Sequence, residues 1–350
     1  MRILYLYAEL MGYQIPVFDV YVRHYGCEVH VVHWDQRKLT PYKPPTVSGV
    51  VYYPRSAYSR RQLVELAATI DPNLVYVSGW MDRGYLSVCR FLRRRGIPVA
   101  SGFDDQWMGT LRQRAAAFTP GAVRRMHFSH AWVFGPYQFE FAARLGFRKQ
   151  ETLFNCCSAD VRLFNDAHLK AQPGKRLKYP HRLLCVARFD RVKGIDLLVS
   201  AWRNIRRDRK DWELSFVGNG PLGDSLAKEP DVCVKPFAHP DQLVDEVAAS
   251  GCLVLPSRIE PWGLVLHEFA AAGLPIVCSD ACGAAPLFVV PGDNGYVFQS
   301  EDVGSLERSL LKVINSSDEI LRRMSARSHE YGQRITPELT AASFMSILEN

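Results

Sequence analysis

The sequence has little that would place it in a membrane or in an oxidising compartment. No run of apolar residues approaches the roughly 20 that an α-helix needs to cross a bilayer. The nine cysteines form no CxxC pair, and their odd count argues against a disulfide framework as well as a zinc site. The first residues, MRILYLYAELMG, lack the small-residue cleavage site of a signal peptide. These absences predict a reducing, cytoplasmic compartment.

Two signatures of nucleotide enzymes are also missing. No GxGxxG follows the first predicted strand, 2–7, which disfavours a Rossmann dehydrogenase. No DxD stands between a strand and a turn, and FDDQW (103–107) is a poor substitute for one. The sequence therefore predicts neither a cofactor nor a required metal.

What is present is the composition of a globular protein, 47% apolar and 23% charged, with strand and helix patterns in alternation. Such alternation predicts an α/β protein with parallel sheets covered on both faces. Strands are predicted at 2–7, 28–34, 49–53, 74–79, 97–103, 130–135, 182–189, 212–220, 232–237, 251–257, 274–280 and 295–298. Helices are predicted at 60–70, 83–96, 194–206, 240–249, 263–272, 303–314 and 318–331.

The pattern breaks near 165–180. The stretch NDAHLKAQPGKRLKYPHR is polar, rich in Lys, Gly and Pro, and typical of a linker. We predict two doubly wound Rossmann-like domains, 1–165 and 166–335, that face a cleft. A C-terminal helix, 336–350, is expected to pack back on the first domain. Ligands of such sheets bind outside the carboxyl ends of the strands.

Charge divides unevenly between the halves. Residues 1–165 carry 21 Lys and Arg against 12 Asp and Glu, a net of +9, whereas residues 166–350 carry 22 against 24, a net of −2. Arginines cluster at 89–96, 111–114 and 123–127 with aromatic residues among them. This mixture suits an anionic membrane or a nucleic acid, and it is equally compatible with an ordinary solvated surface.

The segment SRIEPWGLVLHEFAAAGLPIVCSD (257–280) places two glutamates, Glu260 and Glu268, among apolar residues. A helix that begins near Gly263 would present free amides, which attract phosphate, while the carboxylates suit neutral sugar hydroxyls. The alternative is that Glu260 is exposed and Glu268 pairs locally. Earlier in the chain, Arg188 and Lys193 follow a strand and precede a helix that opens at Gly194. They could neutralise a diphosphate or simply be surface cations.

The stretch E-P-W-G-L-V-L-H-E resembles the E-x(7)-E signature of retaining glycosyltransferases of family 4, which have the GT-B fold. The resemblance implies that Glu268 holds the ribose of the nucleotide and that Glu260 contacts the transferred sugar. It also implies that the backbone from Gly263 through Leu264 to Val265 meets the sugar and the diphosphate. The Arg188 and Lys193 motif, VARFDRVKG, matches the same family in the same order.

Two further motifs match the family more weakly, and two positions depart from its usual pattern. Gly218, in SFVGNGPL, resembles the family's glycine-rich turn, and Phe237, in KPFAHPDQL, its base-binding turn. The family's glycine pair after the first strand, which lies close to the donor phosphates, is reduced here to Gly12, and the resemblance implies that Gly12 binds the donor. Asp104 takes the position of a histidine that the family often has near the transferred sugar. The alternative is that Asp104 and Asp105 only cap a helix that begins near Gln106.

The resemblance implies a metal-independent retaining glycosyltransferase, in which the first domain binds the acceptor and the second the nucleotide sugar. The expected partners are a nucleoside-diphosphate sugar, a glycan or lipid-linked acceptor, and an anionic membrane at the inner face, but no nucleic acid. Surface polysaccharide or glycolipid synthesis is the expected pathway. Two alternatives are a nucleotide-sugar epimerase or hydrolase of the same fold and a non-catalytic sugar-nucleotide-binding protein.

Overall fold

Two parallel β-sheets, each in its own unit of the chain, organise the protein. The computed structural model describes residues 1–36, 45–119 and 121–349. One unit comprises Met1–Ser158 together with Ile335–Asn350, and the other comprises Ala159–Arg334. The domain limits proposed from the sequence, at 165 and 335, stay a prediction.

The first unit contains a sheet whose described strands all run parallel, in the order β3-β2-β1-β4-β5-β6-β7. The strands are β1 (Arg2–Tyr7), β2 (Glu28–His33), β3 (Val50–Pro54), β4 (Leu74–Val77), β5 (Val99–Phe103), β6 (His130–Val133) and β7 (Thr152–Leu153). The helices of Met1–Ser158 are α1 (Ile15–Arg23), α2 (Arg60–Ile70), α3 (Arg83–Arg94), α4 (Leu111–Ala117), α5 (Gly121–Arg125) and α6 (Pro136–Arg144). The central strands β1 and β4 are buried almost throughout, as helices on both faces of a sheet require.

The second unit repeats this scheme in the order β10-β9-β8-β11-β12-β13, again with parallel pairing. Its strands are β8 (Arg182–Val186), β9 (Glu213–Val217), β10 (Val232–Lys235), β11 (Cys252–Leu255), β12 (Ile276–Ser279) and β13 (Gly295–Phe298). Its helices are α7 (Val161–Leu177), α8 (Ile195–Asn204), α9 (Gly223–Leu226), α10 (Pro240–Ala249), α11 (Leu264–Ala271), α12 (Ala285–Phe288), α13 (Val303–Ile314) and α14 (Asp318–Gly332). The strand order reverses between β8 and β11, which is where an open α/β sheet forms its ligand crevice.

Each strand and helix predicted from the sequence overlaps an observed one, but the predicted linker is wrong. Residues 161–177 form α7, a helix that contains Pro173. The Asp160 carboxylate caps it by accepting a hydrogen bond from the Leu163 amide at 3.2 Å. Phe164, Ala167 and Ala171 make a buried stripe at helical spacing, and α7 packs against α10 and α11. Long-range packing thus overrides a loop-like composition.

The C-terminal helix, α15 (Pro337–Met345), is part of the first unit and packs against α1. The ring of Phe344 stacks on that of Trp132 with 4.7 Å between centroids, and it meets the ring of Tyr5 edge-on at 5.8 Å. Both partners are buried residues of the first sheet, so α15 covers part of one face. Within the described residues, no helix is both long and apolar enough to cross a bilayer.

Candidate functional site

The site residues predicted in the second half all lie in loops or helix starts beyond the carboxyl ends of the second sheet's strands. These ends meet at one edge of a parallel sheet, so the fold brings residues from four loops to one side. Arg188 and Lys193 follow β8, Gly218 follows β9, Phe237 follows β10, and Glu260, Gly263, Leu264, Val265 and Glu268 follow β11.

The two predicted cations are organised by a residue that the sequence analysis missed, Asp190. One oxygen of its carboxylate accepts the Lys193 amide at 3.0 Å, and the other accepts the Nε–H of the exposed Arg188 side chain. Burial alone would raise the pKa of Asp190, but the hydrogen bonds from Arg188 and Lys193 outweigh it and lower the pKa. The spacing of Asp190 three residues before Lys193, which suits a capping residue, could have indicated this role.

The loops after β8 and β11 are held together by close backbone packing, a hydrogen bond and an ion pair. Gly194 has a φ of 67°, and a Cβ there would lie 1.9 Å from the carbonyl oxygen of Pro256, so only glycine fits. Arg258 donates its backbone N–H to the carbonyl of Val192 at 2.8 Å. Its guanidinium donates hydrogen bonds to both carboxylate oxygens of Asp196, at 2.6 and 2.8 Å. The loop that carries Lys193 is therefore fixed relative to the loop that carries Glu260.

Glu260 is buried and ion-paired. The ammonium Nζ of Lys193 lies 2.6 Å from its Oε2, and the hydroxyl of Ser257 donates to the same oxygen at 3.0 Å. Only 8% of Glu260 is exposed, and the Ser257 residue is fully buried. The alternative that Glu260 is exposed is therefore wrong, and its two partners supply the pairing that a buried carboxylate needs.

Glu268 differs from Glu260 in having no hydrogen bond or ion pair through its carboxylate with any described residue. It lies on the second turn of α11, a helix that begins after Gly263, whose φ is 88°, and that has no side-chain cap at its start. Its side chain is partly accessible, yet the surrounding protein raises its pKa to about 7, chiefly by desolvation and secondly through the negative charge of Asp160. The alternative of a local pairing partner for Glu268 finds no support among the described residues.

The glycine-rich turn after β9 and the segment after β10 are joined by another residue that sequence reasoning missed. A Cβ on Gly218 would lie 1.9 Å from the carbonyl oxygen of Ala187, which accounts for the glycine. The side-chain oxygen of Asn219 accepts the Phe237 amide at 3.2 Å. Phe237 is 42% exposed, and its backbone is held in place while its ring remains accessible.

The predicted site residues of the first half lie in the first unit. Gly12 opens a 3₁₀ turn, Gly12–Gln14, beyond β1, and Asp104 follows β5 directly. The alternative that Asp104 caps a helix is wrong, because α4 begins later, at Leu111, and is capped by the Thr110 hydroxyl, which accepts the Gln113 amide at 3.3 Å. Asp104 is exposed, and its proposed role near the sugar stays a prediction.

Across 1–36, 45–119 and 121–349, no group of three or more His, Cys, Asp or Glu side chains is arranged to hold a metal ion.

Comparison with known protein families assigns most of the second unit to one family. Residues 169–331 match the family described as glycosyl transferases group 1. The second unit is therefore identified as a group 1 glycosyl transferase domain. The matched residues contain the ion pair of Lys193 with Glu260 as well as the half-buried Glu268, so the resemblance drawn from the E-x(7)-E stretch is confirmed.

Curated proteins are similar to this chain over part of their length. The glycogen synthase of Mycobacterium tuberculosis is 31% identical over 166 residues, which is 45% of this chain and 39% of that protein. A D-inositol 3-phosphate glycosyltransferase of Mycolicibacterium smegmatis is 28% identical over 155 residues, 40% of this chain and 34% of that one. The chain therefore spans well under half the length of these relatives.

Solved structures resemble the whole chain in fold. Sucrose-phosphate synthase from Thermosynechococcus elongatus has a TM-score of 0.72 at 19% identity, covering 100% of this chain and 98% of the other. Anabaena Alr3699/HepE, solved in complex with UDP and glucose, has a TM-score of 0.73 at 16% identity, covering 100% and 99%. This likeness identifies the fold as GT-B, and the predicted fold class is confirmed.

Proposed function

We propose that this group 1 glycosyl transferase moves a sugar from a nucleoside-diphosphate sugar to a hydroxyl of a glycan or lipid-linked acceptor. The observation that carries the proposal is the carboxylate of Glu268, a half-buried residue whose carboxylate has no hydrogen bond or ion pair with any described residue. An ionised carboxylate can accept two hydroxyl groups at once, and a ribose offers two neighbouring ones.

The positive groups at the same edge of the sheet suit the diphosphate of such a donor. The ammonium of Lys193 has three donors, one of which Glu260 takes at 2.6 Å. The guanidinium of Arg188 is exposed, and the first amides of α11 have no side-chain cap. One preorganised donor of this kind lowers a barrier by roughly 3 kcal/mol, so these groups together can stabilise a departing diphosphate without a metal.

The proposed step breaks the bond between the anomeric carbon and the diphosphate oxygen, and the electron pair stays on that oxygen. The acceptor hydroxyl forms the new bond from the same face, and its proton passes to the departing phosphate. Retention at the anomeric carbon follows from the family resemblance. Glu260 is proposed to contact the hydroxyls of the transferred sugar while it positions Lys193.

UDP is the nucleotide that we propose for the donor. Anabaena Alr3699/HepE, which shares the fold, was solved with UDP-glucose as well as with UDP and glucose. In this chain the amide of Phe237 is already bound to Asn219 at 3.2 Å, so a base at this turn would meet the carbonyl of Phe237. The N3–H of uracil is a donor that suits such a carbonyl.

Calorimetry with UDP-, GDP- and ADP-sugars tests the donor. Wild type is expected to bind one of the three, and Glu268→Gln is expected to bind the same compound at least tenfold more weakly. Glu319→Gln, an exposed residue in the first turn of α14, serves as the matched control. An equal loss in both variants, or no loss in either, would contradict the proposed ribose contact.

Donor consumption separates the transferase from the two alternatives. A transferase is expected to consume its donor only when a hydroxyl acceptor is present. Rapid conversion of the donor without any acceptor would favour the epimerase or hydrolase, and binding with no turnover across an acceptor panel would favour the non-catalytic protein.

The acceptor is proposed to bind the first unit, near Asp104 at the carboxyl end of β5. A lipid-linked acceptor in surface polysaccharide or glycolipid synthesis, met at the cytoplasmic face of the membrane, remains the predicted setting. No nucleic-acid partner is proposed. A screen of acceptors with soluble glycans and lipid-linked saccharides tests this part independently of the donor.

A further inference from the structure

Two neighbouring stretches of the first unit, 107–119 and 121–127, expose several large apolar side chains, and a group of such side chains marks an interaction surface. They include the short helices α4 and α5. Five of their apolar side chains are solvent-exposed: Met108 at 60%, Leu111 at 85%, Phe118 at 88%, Val123 at 40% and Met126 at 41%. Burying such side chains elsewhere would be favourable, so this surface is suited to contact another phase or molecule.

The charge of the same stretches has one sign. No Asp or Glu occurs between Asp105 and Glu140, while four arginines lie on or beside the two helices: Arg112, Arg114, Arg124 and Arg125. Arg112, Arg114 and Arg125 are exposed, and Arg124 is half-buried, with its guanidinium donating to the carbonyl of Thr119 at 2.7 Å. Long cationic side chains interleaved with Leu, Phe and Met are typical of a segment that lies in a membrane interface.

We propose that the two stretches 107–119 and 121–127 dock on an anionic lipid surface, with their exposed apolar side chains entering the interface and their arginines at the headgroups. This inference adds a membrane-docking surface to the proposed function. It rests on that function only for the statement that a lipid-linked acceptor is met at this surface. Charge complementarity favours this occupant, because an anionic bilayer supplies both the negative charge and an apolar phase for side chains as exposed as Leu111 and Phe118.

The other arginine cluster predicted from the sequence, in α3, is less available. Arg93 donates to the carbonyl of Ile97 at 3.3 Å and is partly buried. Arg95 lies 3.5 Å from the carboxylate of Asp71 and stands over the ring of Phe91, 5.5 Å from its centroid. Two of its three consecutive arginines are therefore engaged within the protein, which makes α3 a suitable comparison surface.

Vesicle flotation tests the proposal on the full chain. The vesicles are phosphatidylcholine alone or phosphatidylcholine with an equal part of phosphatidylglycerol. Wild type is expected to bind only the mixed vesicles, and less as salt rises, because screening shortens the reach of surface charge to about 8 Å in physiological salt. Each arginine near an anionic surface changes the partition coefficient roughly fivefold, so Arg112→Gln with Arg114→Gln should weaken binding about 25-fold.

Matched variants separate this surface from general effects. Arg90→Gln with Arg94→Gln removes the same charge from exposed positions of α3 and should bind as wild type does. Leu111→Ser should weaken binding at least severalfold, whereas Leu177→Ser, at a position of the second unit that is 88% exposed, should not. Melting temperatures confirm that each variant is folded, and UDP-sugar affinity should be unchanged in all of them.

Three outcomes would overturn the proposal: wild type ignores mixed vesicles at low salt, the α3 variant loses as much binding as the α4 variant, or Leu111→Ser dissociates a dimer in light scattering without affecting vesicle binding. The last result would assign the surface to a second copy of the chain. Failure of UDP-sugar binding with intact vesicle binding would instead refute the donor site and leave the docking surface standing.

Discussion

The affinity for the donor should depend on pH through Glu268, and the variant Glu268→Gln should abolish that dependence. The pKa of Glu268 is raised to about 7, first by desolvation and then by the negative charge of Asp160. If only the ionised form accepts the ribose hydroxyls, the dissociation constant grows by a factor of one plus ten to the power of pKa minus pH. Binding should therefore be roughly tenfold weaker at pH 6 than at pH 8.

The assay is calorimetry with the intact UDP-sugar at pH 6 and pH 8 and constant ionic strength. Both phosphates of a nucleotide sugar are diesters, so the ligand itself gains no proton in this range, unlike free UDP. Glu268→Gln should bind weakly and equally at both values. Asp160→Asn removes the neighbouring charge but can still cap α7, and it should move the midpoint of the dependence to lower pH.

Two results would refute this reasoning. Wild-type affinity that is equal at pH 6 and pH 8 would show that Glu268 is already ionised below pH 6 in the free protein. Full affinity and an unchanged pH dependence in Glu268→Gln would show that this carboxylate does not receive the ribose.

Further predictions concern catalysis and stability. Glu260→Gln should lower kcat far more than it weakens UDP affinity, because Glu260 is proposed to contact the transferred sugar, which UDP lacks; an equal loss of UDP affinity in calorimetry would contradict this. Activity should survive EDTA, and a loss that Mg²⁺ or Mn²⁺ restores would disprove metal independence. Lys175→Met should stabilise the protein by several kcal/mol at pH 6 and less at pH 9, as urea unfolding can measure. Burial, and secondly Arg182, lowers the pKa of Lys175 to about 7, so the amine destabilises the fold most at low pH; a less stable variant would refute this.

Much of the fold could be predicted from local pattern. The buried strands are short β-branched runs, and α2 at Arg60–Ile70 and α10 at Pro240–Ala249 coincide with the predicted helices, because their apolar periodicity is strong and their capping boxes lie in the sequence. The helix α7 could not be predicted in this way. Its Lys, Gly and Pro are typical of a linker, and it is a helix because Phe164 and Ala167 find a packed surface on distant elements.

The identities of the donor-site candidates were available from the sequence, since motif spacing places Lys193, Glu260 and Glu268 after the proper strands. Their burial, ion pairing and pKa could not be predicted from the sequence. Lys193 and Glu260 are 67 positions apart, and only the parallel pairing of β8 with β11 brings them to 2.6 Å. The raised pKa of Glu268 likewise depends on the walls that desolvate it and on Asp160, which lies more than a hundred residues earlier in the chain. Chemical type is a property of each residue, whereas burial and pairing are properties of the folded neighbourhood.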